Sequence, residues 1–418
     1  MKNISIRRNT CRLCNSGDLE LVVPLGNSPV SEKYLTKSNI NEEQVKVPLD
    51  LYFCNHCSHV QLLDIVDPEF LWSDLTFQTS HNPKLVEHFH DVANRILAFS
   101  PIEKKDLIID IGSNDGTLLQ CFKDEGYGNI LGIDPSKEIS SVANSNGVPT
   151  INDFFNKKIS SNILKDHGPA KIITANNVYA HIDDLTSITE AIKNVLHDDG
   201  IFVFEVSYLL DVVQKSLIGT IFHEHLSYHS VKAMKKFLNN QDLELIHVER
   251  GPEQGGSIIG YAQHKSRKRE VDNSVNRMLD LEREAKLDQP GTIKKMYKKL
   301  EKVKYELKSL IGNYCQDGKV VAGFGAARAG TTLLSYFEIG GQLDFLVDDN
   351  ESKHYKFSPG DKIEVLPTSE IYNKKPDYVL ILAWLHADKI IEQHRKFIEG
   401  NGSFIRVFPT VEVIRKSV

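Results

Sequence analysis

The 418-residue sequence lacks long apolar segments and has no excess of positive charge. No apolar run approaches the roughly 20 residues that cross a bilayer. The first residues, MKNISIRRNTCRLC, lack the apolar core of a secretory signal. The formal net charge of −6 argues against a general nucleic-acid or anionic-membrane surface. We therefore expect a cytoplasmic protein of several domains, with no membrane and no nucleic-acid partner.

Cysteine is scarce as well, but four of the six cysteines form two C-x-x-C pairs. In a reducing compartment this spacing predicts metal ligands rather than disulfides. Four thiolates complete a tetrahedral site and leave no open position for catalysis. We therefore predict a structural Zn²⁺ site, with two disulfides or free thiols as the alternative. The predicted ligands are Cys11, Cys14, Cys54 and Cys57.

Strand-like and helix-like segments alternate in two parts of the chain. LIIDIGSND, NILGIDPS and GIFVFEVSYL belong to the first part, and KVVAGFGAARAG, LDFLVDDN and DYVLILAW to the second. Alternation of this kind predicts parallel sheets covered by helices. Between them lies a charged stretch with apolar residues at helical spacing, which Pro290 divides into two helices. The predicted segments are a cysteine-rich domain at 1–72, an α/β domain at 73–265, a helical linker at 266–312 and a second α/β domain at 313–418.

The loop DIGSNDGTLL, residues 110–119, predicts a cofactor site. It follows a buried strand and opens a helix, and its glycines allow the backbone to pass close to a ligand. Asp134 ends the next strand, where a carboxylate can bind a ribose diol. The loop lacks G-x-G-x-x-G and carries Asp115, so a cationic sulfonium fits better than a pyrophosphate. A turn without ligand is the alternative. The predicted residues for S-adenosylmethionine are Asp110, Gly112, Ser113, Asn114, Gly116, Asp134, Asp153, Asn176 and Asn177.

The stretch GTIFHEHLSYHS, residues 219–230, is rich in histidine. The zinc-protease pattern H-E-x-x-H would need histidine at Ser227, and the reversed pattern H-x-x-E-H also fails. If the stretch is a strand, His223 and His225 share one face without a third ligand. We therefore predict acid–base chemistry rather than a metal, with a polar surface loop as the alternative. His223 and His229 are assigned to that surface role.

Five motifs carry a resemblance to a known family: IDIGSNDGTLL, ANNVYAHIDDL, FEVSYLLDVV, GTIFHEHLSYHS and GAARAGTTLLSYF. Together they resemble the sugar C-methyltransferases of deoxysugar biosynthesis, over essentially the whole chain. The family is typified by enzymes that make branched sugars such as mycarose, and by the tetronitrose C3-methyltransferase. The resemblance implies an α/β fold: a Rossmann-like S-adenosylmethionine methyltransferase domain, flanked by a small zinc-binding domain and a C-terminal Rossmann-like α/β domain.

The resemblance also implies a reaction and its residues. The reaction is methylation of a carbon next to the ketone of a nucleotide-linked 4-keto-6-deoxy sugar. The second histidine of H-E-H is the family's proposed base, which corresponds to His225. Glu224 is expected to orient a histidine or bind the sugar, and His181 to donate to the keto oxygen.

Two departures from the family pattern remove hydroxyl groups. Phe222 stands where a tyrosine usually precedes H-E-H, and LTFQTSHN has Leu75 and Phe77 at two further tyrosine positions. Fewer alternatives to His225 as the base therefore remain.

In the C-terminal unit, GFGAARAG is expected to admit a phosphate of the substrate. Its arginine stands where the family more often has lysine, and an arginine can pair with the phosphate bidentately. The predicted substrate residues are Phe77, Phe222, Gly325, Arg328 and Lys353.

Other functions stay open on the sequence alone. An O- or N-methyltransferase acting on a related sugar needs no enolate. An NAD-dependent sugar oxidoreductase would use GFGAARAG as its cofactor loop, and a zinc-bearing adaptor would bind neither cofactor. The C-terminal unit can also serve only to pack on the methyltransferase domain. We expect a monomer or a weak homo-oligomer.

Overall fold

The N-terminal part is built from short strands around the cysteine pairs. The structure, a computed structural model, describes residues 4–72, 77–267 and 269–416. Strands β2, β5 and β6 form an antiparallel sheet, and β1–β7 and β3–β4 form two-stranded sheets. The elements are β1 (Ser5–Arg7), β2 (Leu19–Val23), β3 (Asn27–Pro29), β4 (Lys46–Pro48), β5 (Leu51–Cys54), β6 (Val60–Leu62), β7 (Asp64–Val66) and α1 (Pro68–Trp72).

The central part is a seven-stranded sheet with an apolar core on each face. Its elements are α2 (Pro83–Phe99), β8 (Leu107–Ile111), α3 (Thr117–Asp124), β9 (Ile130–Ile133), α4 (Lys137–Ser145), β10 (Thr150–Ile151), α5 (Lys157–His167), β11 (Ala170–Asn176), α6 (Leu185–Val195), β12 (Leu196–Ser207), α7 (Leu209–Lys215), β13 (Ser227–Tyr228), α8 (Val231–Asn240), β14 (Leu243–Gly251) and β15 (Ser257–His264). The strand order is β10-β9-β8-β11-β12-β15-β14, and β15 runs antiparallel to both neighbours. Strand β8 is buried along its whole length, which explains why all its residues except Asp110 are apolar.

Two helices follow, α9 (Asn273–Glu284) and α10 (Pro290–Gln316). Pro290 occupies the first turn of α10, where its missing N–H costs nothing. The predicted division into two helices is therefore confirmed. No helix in the described ranges is both long and apolar enough to cross a membrane.

The C-terminal part is a six-stranded sheet of order β18-β17-β16-β19-β20-β21. All neighbouring strands are parallel except β20 and β21. The elements are β16 (Val321–Phe324), α11 (Arg328–Phe337), β17 (Phe345–Asp348), β18 (Val365–Pro367), α12 (Glu370–Asn373), β19 (Tyr378–Ile381), α13 (Ala387–Gln393), α14 (Arg395–Glu399), β20 (Ser403–Arg406) and β21 (Glu412–Ile414). The predicted Rossmann-like architecture is confirmed for both α/β parts.

The histidine-rich stretch lies where the three parts meet. Its last residues form β13, which pairs with β6 and extends the N-terminal sheet. On the other side, Thr332 of α11 donates a hydrogen bond to the carbonyl of Ile221 at 2.7 Å. The H-E-H residues themselves form a turn rather than a strand, since the His225 N–H bonds the Phe222 carbonyl at 2.9 Å.

Candidate active site

The two C-x-x-C pairs come together as one cluster. The Sγ atoms of Cys11 and Cys57 are 3.5 Å apart, those of Cys14 and Cys54 are 3.6 Å apart, and all four lie within 4.8 Å of one another. Sulfurs around a tetrahedral Zn²⁺, with Zn–S of about 2.3 Å, are separated by about 3.8 Å. The thiols are not joined as disulfides. The cluster therefore fits a closed structural zinc site, as predicted.

The predicted cofactor loop lies at the carboxyl edge of β8, β9 and β11. Gly112 has a φ of 69°, and a Cβ there would collide with Val178. Gly116, with a φ of 82°, is the N-cap of α3, and a Cβ there would come within 2.8 Å of Val148. Both glycines therefore let the loop approach its own protein neighbours, a reason that the sequence did not reveal.

Buried polar groups at this edge fit a bound polar ligand. Asp134 accepts the N–H groups of Asn114 at 3.0 Å and Ser136 at 2.9 Å, and burial raises the pKa of its carboxyl group. The Ser113 hydroxyl and the Asn176 amide are buried without a hydrogen-bond partner among the described residues. Leaving such groups unpaired is costly. The loop thus has the donors and acceptors that S-adenosylmethionine requires.

The remaining predicted cofactor residues lie around this loop in different settings. Asp110 accepts a hydrogen bond from Thr174 Oγ1 at 2.6 Å, and burial raises its pKa to about 7. Asp153 is exposed just beyond β10. The Asn177 side chain accepts a hydrogen bond from Gln254 at 2.8 Å.

Phe77 belongs to a segment that packs on the cofactor loop. Its carbonyl accepts a hydrogen bond from the Asn114 side chain at 3.0 Å, while its ring is 46% exposed. Asp115 turns toward the same segment and accepts the Ser80 N–H at 2.9 Å. Phe77 therefore lies beside the predicted cofactor site, whereas Leu75 lies outside the described residues.

His181 and His225 belong to a column of four rings. Their ring centroids are 5.1 Å apart, Trp72 stacks on His181 at 5.3 Å, and Phe222 contacts His225 at 4.0 Å. The His181 N–H also bonds the carbonyl of Val178, the residue that Gly112 accommodates. The column therefore stands next to the cofactor loop. The sequence analysis missed Trp72, which belongs to no motif.

The hydrogen bonding of His225 assigns its proton. Nδ1 lies 2.8 Å from the Thr220 carbonyl oxygen. A carbonyl only accepts, so Nδ1 carries the hydrogen and Nε2 keeps a free lone pair. Burial lowers the pKa of His225 to about 4; the Thr220 bond opposes this shift and the charge of Arg328 adds to it. The imidazole is therefore neutral at pH 7, with Nε2 able to accept a proton.

Glu224 joins residues from all three parts of the chain. Its Oε1 lies 3.1 Å from Arg328 Nε, and its Oε2 accepts a hydrogen bond from Ser31 at 3.2 Å. The carboxylate side chain is 5% exposed, so this ion pair is largely shielded from water. The Glu224 carboxylate therefore pairs with Arg328 and Ser31.

The C-terminal glycine loop is covered by a segment of the N-terminal part. Lys353 Nζ donates to the carbonyl of Ala326 at 2.8 Å and pairs with Glu32 at 3.2 Å. The Tyr34 hydroxyl bonds the same Ala326 carbonyl. Gly325 adopts a φ of 103°, and a Cβ there would come within 2.8 Å of Ala383. Gly325, Arg328 and Lys353 are thus brought together at the start of α11.

Arg12 links the zinc cluster to the two histidine-bearing loops. It lies between the first two cysteines, and its side chain is fully buried. Its Nε donates to Asp183 at 3.0 Å, close in sequence to His181. Its Nη1 lies 3.3 Å from the carbonyl oxygen of Leu226, the residue after His225. Arg12 therefore connects the cysteine cluster to the loop that carries His181 and to the loop that carries His225.

His223 and His229 are buried, so their assignment to a surface loop is wrong. His223 Nε2 lies 3.0 Å from the Val47 carbonyl oxygen of the N-terminal part. The His229 ring packs 5.4 Å from that of His59, and burial lowers its pKa to about 3. Both serve the packing between the N-terminal and central parts.

Three protein families match successive parts of the chain. They are described as "Putative zinc binding domain" (residues 11–72), "Methyltransferase domain" (85–248) and "C-methyltransferase C-terminal domain" (252–409). The C-methyltransferase NovU of Streptomyces niveus is 29% identical over 415 residues, and the alignment covers 99% of each chain.

Solved methyltransferases resemble a smaller part of the chain. An S-adenosylmethionine-dependent methyltransferase from Clostridium acetobutylicum has 15% identity and a TM-score of 0.35, covering 43% of this chain and 91% of its own. Magnesium protoporphyrin IX methyltransferase (ChlM) from Synechocystis PCC 6803 with bound SAH has 14% identity and a TM-score of 0.33, covering 42% and 82%.

The family matches follow the order of the parts seen in the structure. The cysteine cluster lies within the zinc-binding match, and the seven-stranded sheet carries the cofactor loop of the methyltransferase match. The similarity to a C-methyltransferase extends over the whole chain. The resemblance predicted from the sequence motifs is therefore confirmed: the protein is an S-adenosylmethionine-dependent C-methyltransferase, with a zinc-binding match before its methyltransferase match and a C-methyltransferase C-terminal match after it.

Proposed function

We propose that this C-methyltransferase acts on a nucleotide-linked 4-keto-6-deoxy sugar and methylates a carbon next to the ketone. The observation that carries the proposal is the neutral, buried His225, whose Nε2 is free beside the cofactor loop. This nitrogen is unprotonated at neutral pH and can therefore accept a proton, and a carbon next to a ketone becomes nucleophilic only after it loses one.

The proposed reaction has two steps. His225 Nε2 removes the proton, and the C–H electron pair moves into a carbon–carbon double bond while the carbonyl oxygen becomes an enolate oxygen. When bound, S-adenosylmethionine would supply the electrophilic methyl group, and the electron pair of the broken carbon–sulfur bond would stay on sulfur in S-adenosylhomocysteine. The enolate carbon takes this methyl, the ketone re-forms, and His225 releases its proton to solvent. His181, stacked on His225, is proposed to donate to the keto oxygen.

The nucleotide is proposed to lie at the C-terminal glycine loop. Arg328 begins α11, and a helix N-terminus favours phosphate groups. Gly325 and Lys353 lie at the same place, as described above. Phe222 and Phe77 are proposed to contact the sugar, where they offer apolar surface instead of hydroxyl groups.

The direct test is methylation of a panel of nucleotide-linked keto sugars, followed by mass spectrometry. We expect a product with one added methylene, attached to carbon. We also expect exchange of the α-proton in D₂O without the methyl donor, which an O- or N-methyltransferase would not catalyse. A stable O- or N-methyl product would refute the carbon assignment.

The oxidoreductase alternative is tested by calorimetry. Asp348, at the end of β17, accepts the Ala326 N–H at 2.6 Å and lies where a dinucleotide-binding fold has its acidic residue. We expect binding of S-adenosylhomocysteine and no binding of NAD. Binding of NAD at the C-terminal loop would require a different function for this domain.

A further inference from the structure

The enolate oxygen of the proposed reaction needs a cation or a hydrogen-bond donor beside it. The column formed by Trp72, His181, His225 and Phe222 provides little of either. On one side of His225 is Phe222, whose ring has no hydroxyl group. On the other side is His181, whose pKa is lowered by burial, by the neighbouring His225 and by Arg328, so it is neutral at pH 7. A neutral donor alone stabilises an anionic oxygen less than a cation does.

Arg328 brings a cation to this column from the C-terminal part of the chain. Its Nε lies 3.1 Å from Glu224, the residue next to His225 in the turn. Within the described part of the chain, the Arg328 guanidinium has hydrogen bonds through Nε only. Its side chain is 32% exposed, so its two Nη groups remain available to a substrate. Burial is the main cause of the lowered pKa values of His181 and His225, and the positive charge of Arg328 lowers both further. The Arg328 charge therefore lies near both rings.

We propose that Arg328 holds the keto oxygen of the substrate and stabilises it as the enolate forms, taking the role of the hydroxyl that Phe222 lacks. Glu224 and Ser31 orient the guanidinium through Nε and leave its Nη groups for the oxygen. The negative charge that develops as His225 removes the proton is then paired with a fixed cation. This inference rests on the proposed function.

The proposal differs from the prediction that Arg328 pairs with a phosphate of the nucleotide. Lys353 provides the comparison, since it lies at the same loop but is held by Glu32 and the Ala326 carbonyl. A phosphate ligand contributes equally before and during the chemical step, so its loss raises KM. An enolate ligand contributes mainly in the transition state, so its loss lowers kcat.

The test compares Arg328→Met, Arg328→Lys and the matched control Lys353→Met, with α-proton exchange and methylation as readouts. We expect Arg328→Met to lower kcat and the exchange rate about 100-fold with little change in KM. Arg328→Lys, which keeps the charge, should lose less. Lys353→Met, which alters the proposed nucleotide site, should raise KM more than it lowers kcat.

Rescue by a hydroxyl group separates this role from a structural one. In the Phe222→Tyr/Arg328→Met double variant, we expect about tenfold recovery of kcat relative to Arg328→Met. The kcat-limiting pKa should rise in Arg328→Met, because a cation beside His225 is removed. Thermal unfolding and binding of S-adenosylhomocysteine confirm that each variant is folded.

Two outcomes would overturn the inference. The first is an Arg328→Met enzyme with unchanged kcat and a raised KM, which would assign Arg328 to the phosphates. The second is an Arg328→Met enzyme that folds and loses kcat, but shows no shift of its pH profile and no rescue by tyrosine. Failure of the wild-type enzyme to methylate or exchange any keto sugar would instead refute the proposed function.

Discussion

A single hydrogen bond decides what His225 can do. The Thr220 carbonyl holds the proton on Nδ1, so Nε2 is the basic atom whichever substrate is present. The surrounding rings and Arg328 keep the imidazole neutral. The family resemblance predicted a base at His225, but the tautomer depends on the Thr220 carbonyl, which no motif marks.

The pH dependence of the reaction follows from this environment. Because burial lowers the pKa of His225 to about 4, we expect kcat to be independent of pH near neutrality and to fall only as the pH approaches about 4. An ordinary histidine base would lose activity below about pH 6.5. The measurement is kcat against pH at saturating substrate, and an acid limb near 6.5 would contradict the assignment.

Stability has a related pH dependence with a definite sign. His225 and His229 have pKa values in the folded state that are below those in the unfolded chain, so the unfolded chain binds more protons as the pH falls. Stability is therefore lost as the pH falls from about 6.5 toward 4, by about 1.4 kcal/mol per unit of pKa depression. Urea unfolding at several pH values measures this loss, and circular dichroism in the kinetic buffers separates it from loss of the base.

Replacement of the base provides a second test at this scale. We expect His225→Asn to lower kcat about 10²- to 10⁴-fold, while binding of S-adenosylhomocysteine is retained. The matched control is His223→Asn in the same turn, which should lower the unfolding temperature because a buried bond to Val47 is weakened, yet keep kcat. A His225→Asn enzyme with near-normal turnover would remove the assigned base.

At the scale of elements, the cofactor loop is shaped by close packing between β8 and the turn before His181. A Cβ at Gly112 would collide with Val178, and its φ of 69° is unfavourable for other residues. We expect Gly112→Ala to weaken binding of S-adenosylhomocysteine at least about tenfold, since the loop must move.

A second variant separates the two causes. Gly112→Ala/Val178→Ala removes the collision but keeps the backbone strain, so calorimetry should show partial recovery of the lost affinity. Full affinity in Gly112→Ala alone would show that the loop does not need this close approach.

Periodic patterns predicted the elements better than they predicted the contacts between them. Alternating apolar runs were enough to predict both parallel sheets, and Pro290 was enough to divide the helices. The pairing of β13 with β6 joins residues that are far apart in the sequence, and no local pattern encodes it. The boundaries of the four predicted segments stay predictions, as do the roles of the site residues.

For the whole molecule, the cysteine cluster is connected through Arg12 to the loops that carry His181 and His225. Arg12 extends from the first C-x-x-C pair to the loops of both histidines. We expect Cys14→Ser or removal of zinc by a chelator to abolish methylation. Binding of S-adenosylhomocysteine should decrease much less, because its loop belongs to the central sheet.

The measurements are metal content, activity and affinity on the same sample. A matched variant, Arg12→Lys, keeps the zinc ligands but cannot make the same contacts, and it should lower kcat while retaining one zinc per chain. Full activity of a zinc-free protein would contradict this role.

The contacts of Glu224 limit how domains can be exchanged between related enzymes. Its partners are Ser31 from the N-terminal part and Arg328 from the C-terminal part, so the cluster exists only when all three parts are compatible. A chimera that takes one domain from a relative with lysine at position 328 would inherit one partner of a three-way contact. Recombination between relatives must therefore keep Ser31, Glu224 and Arg328 together if this cluster is to form.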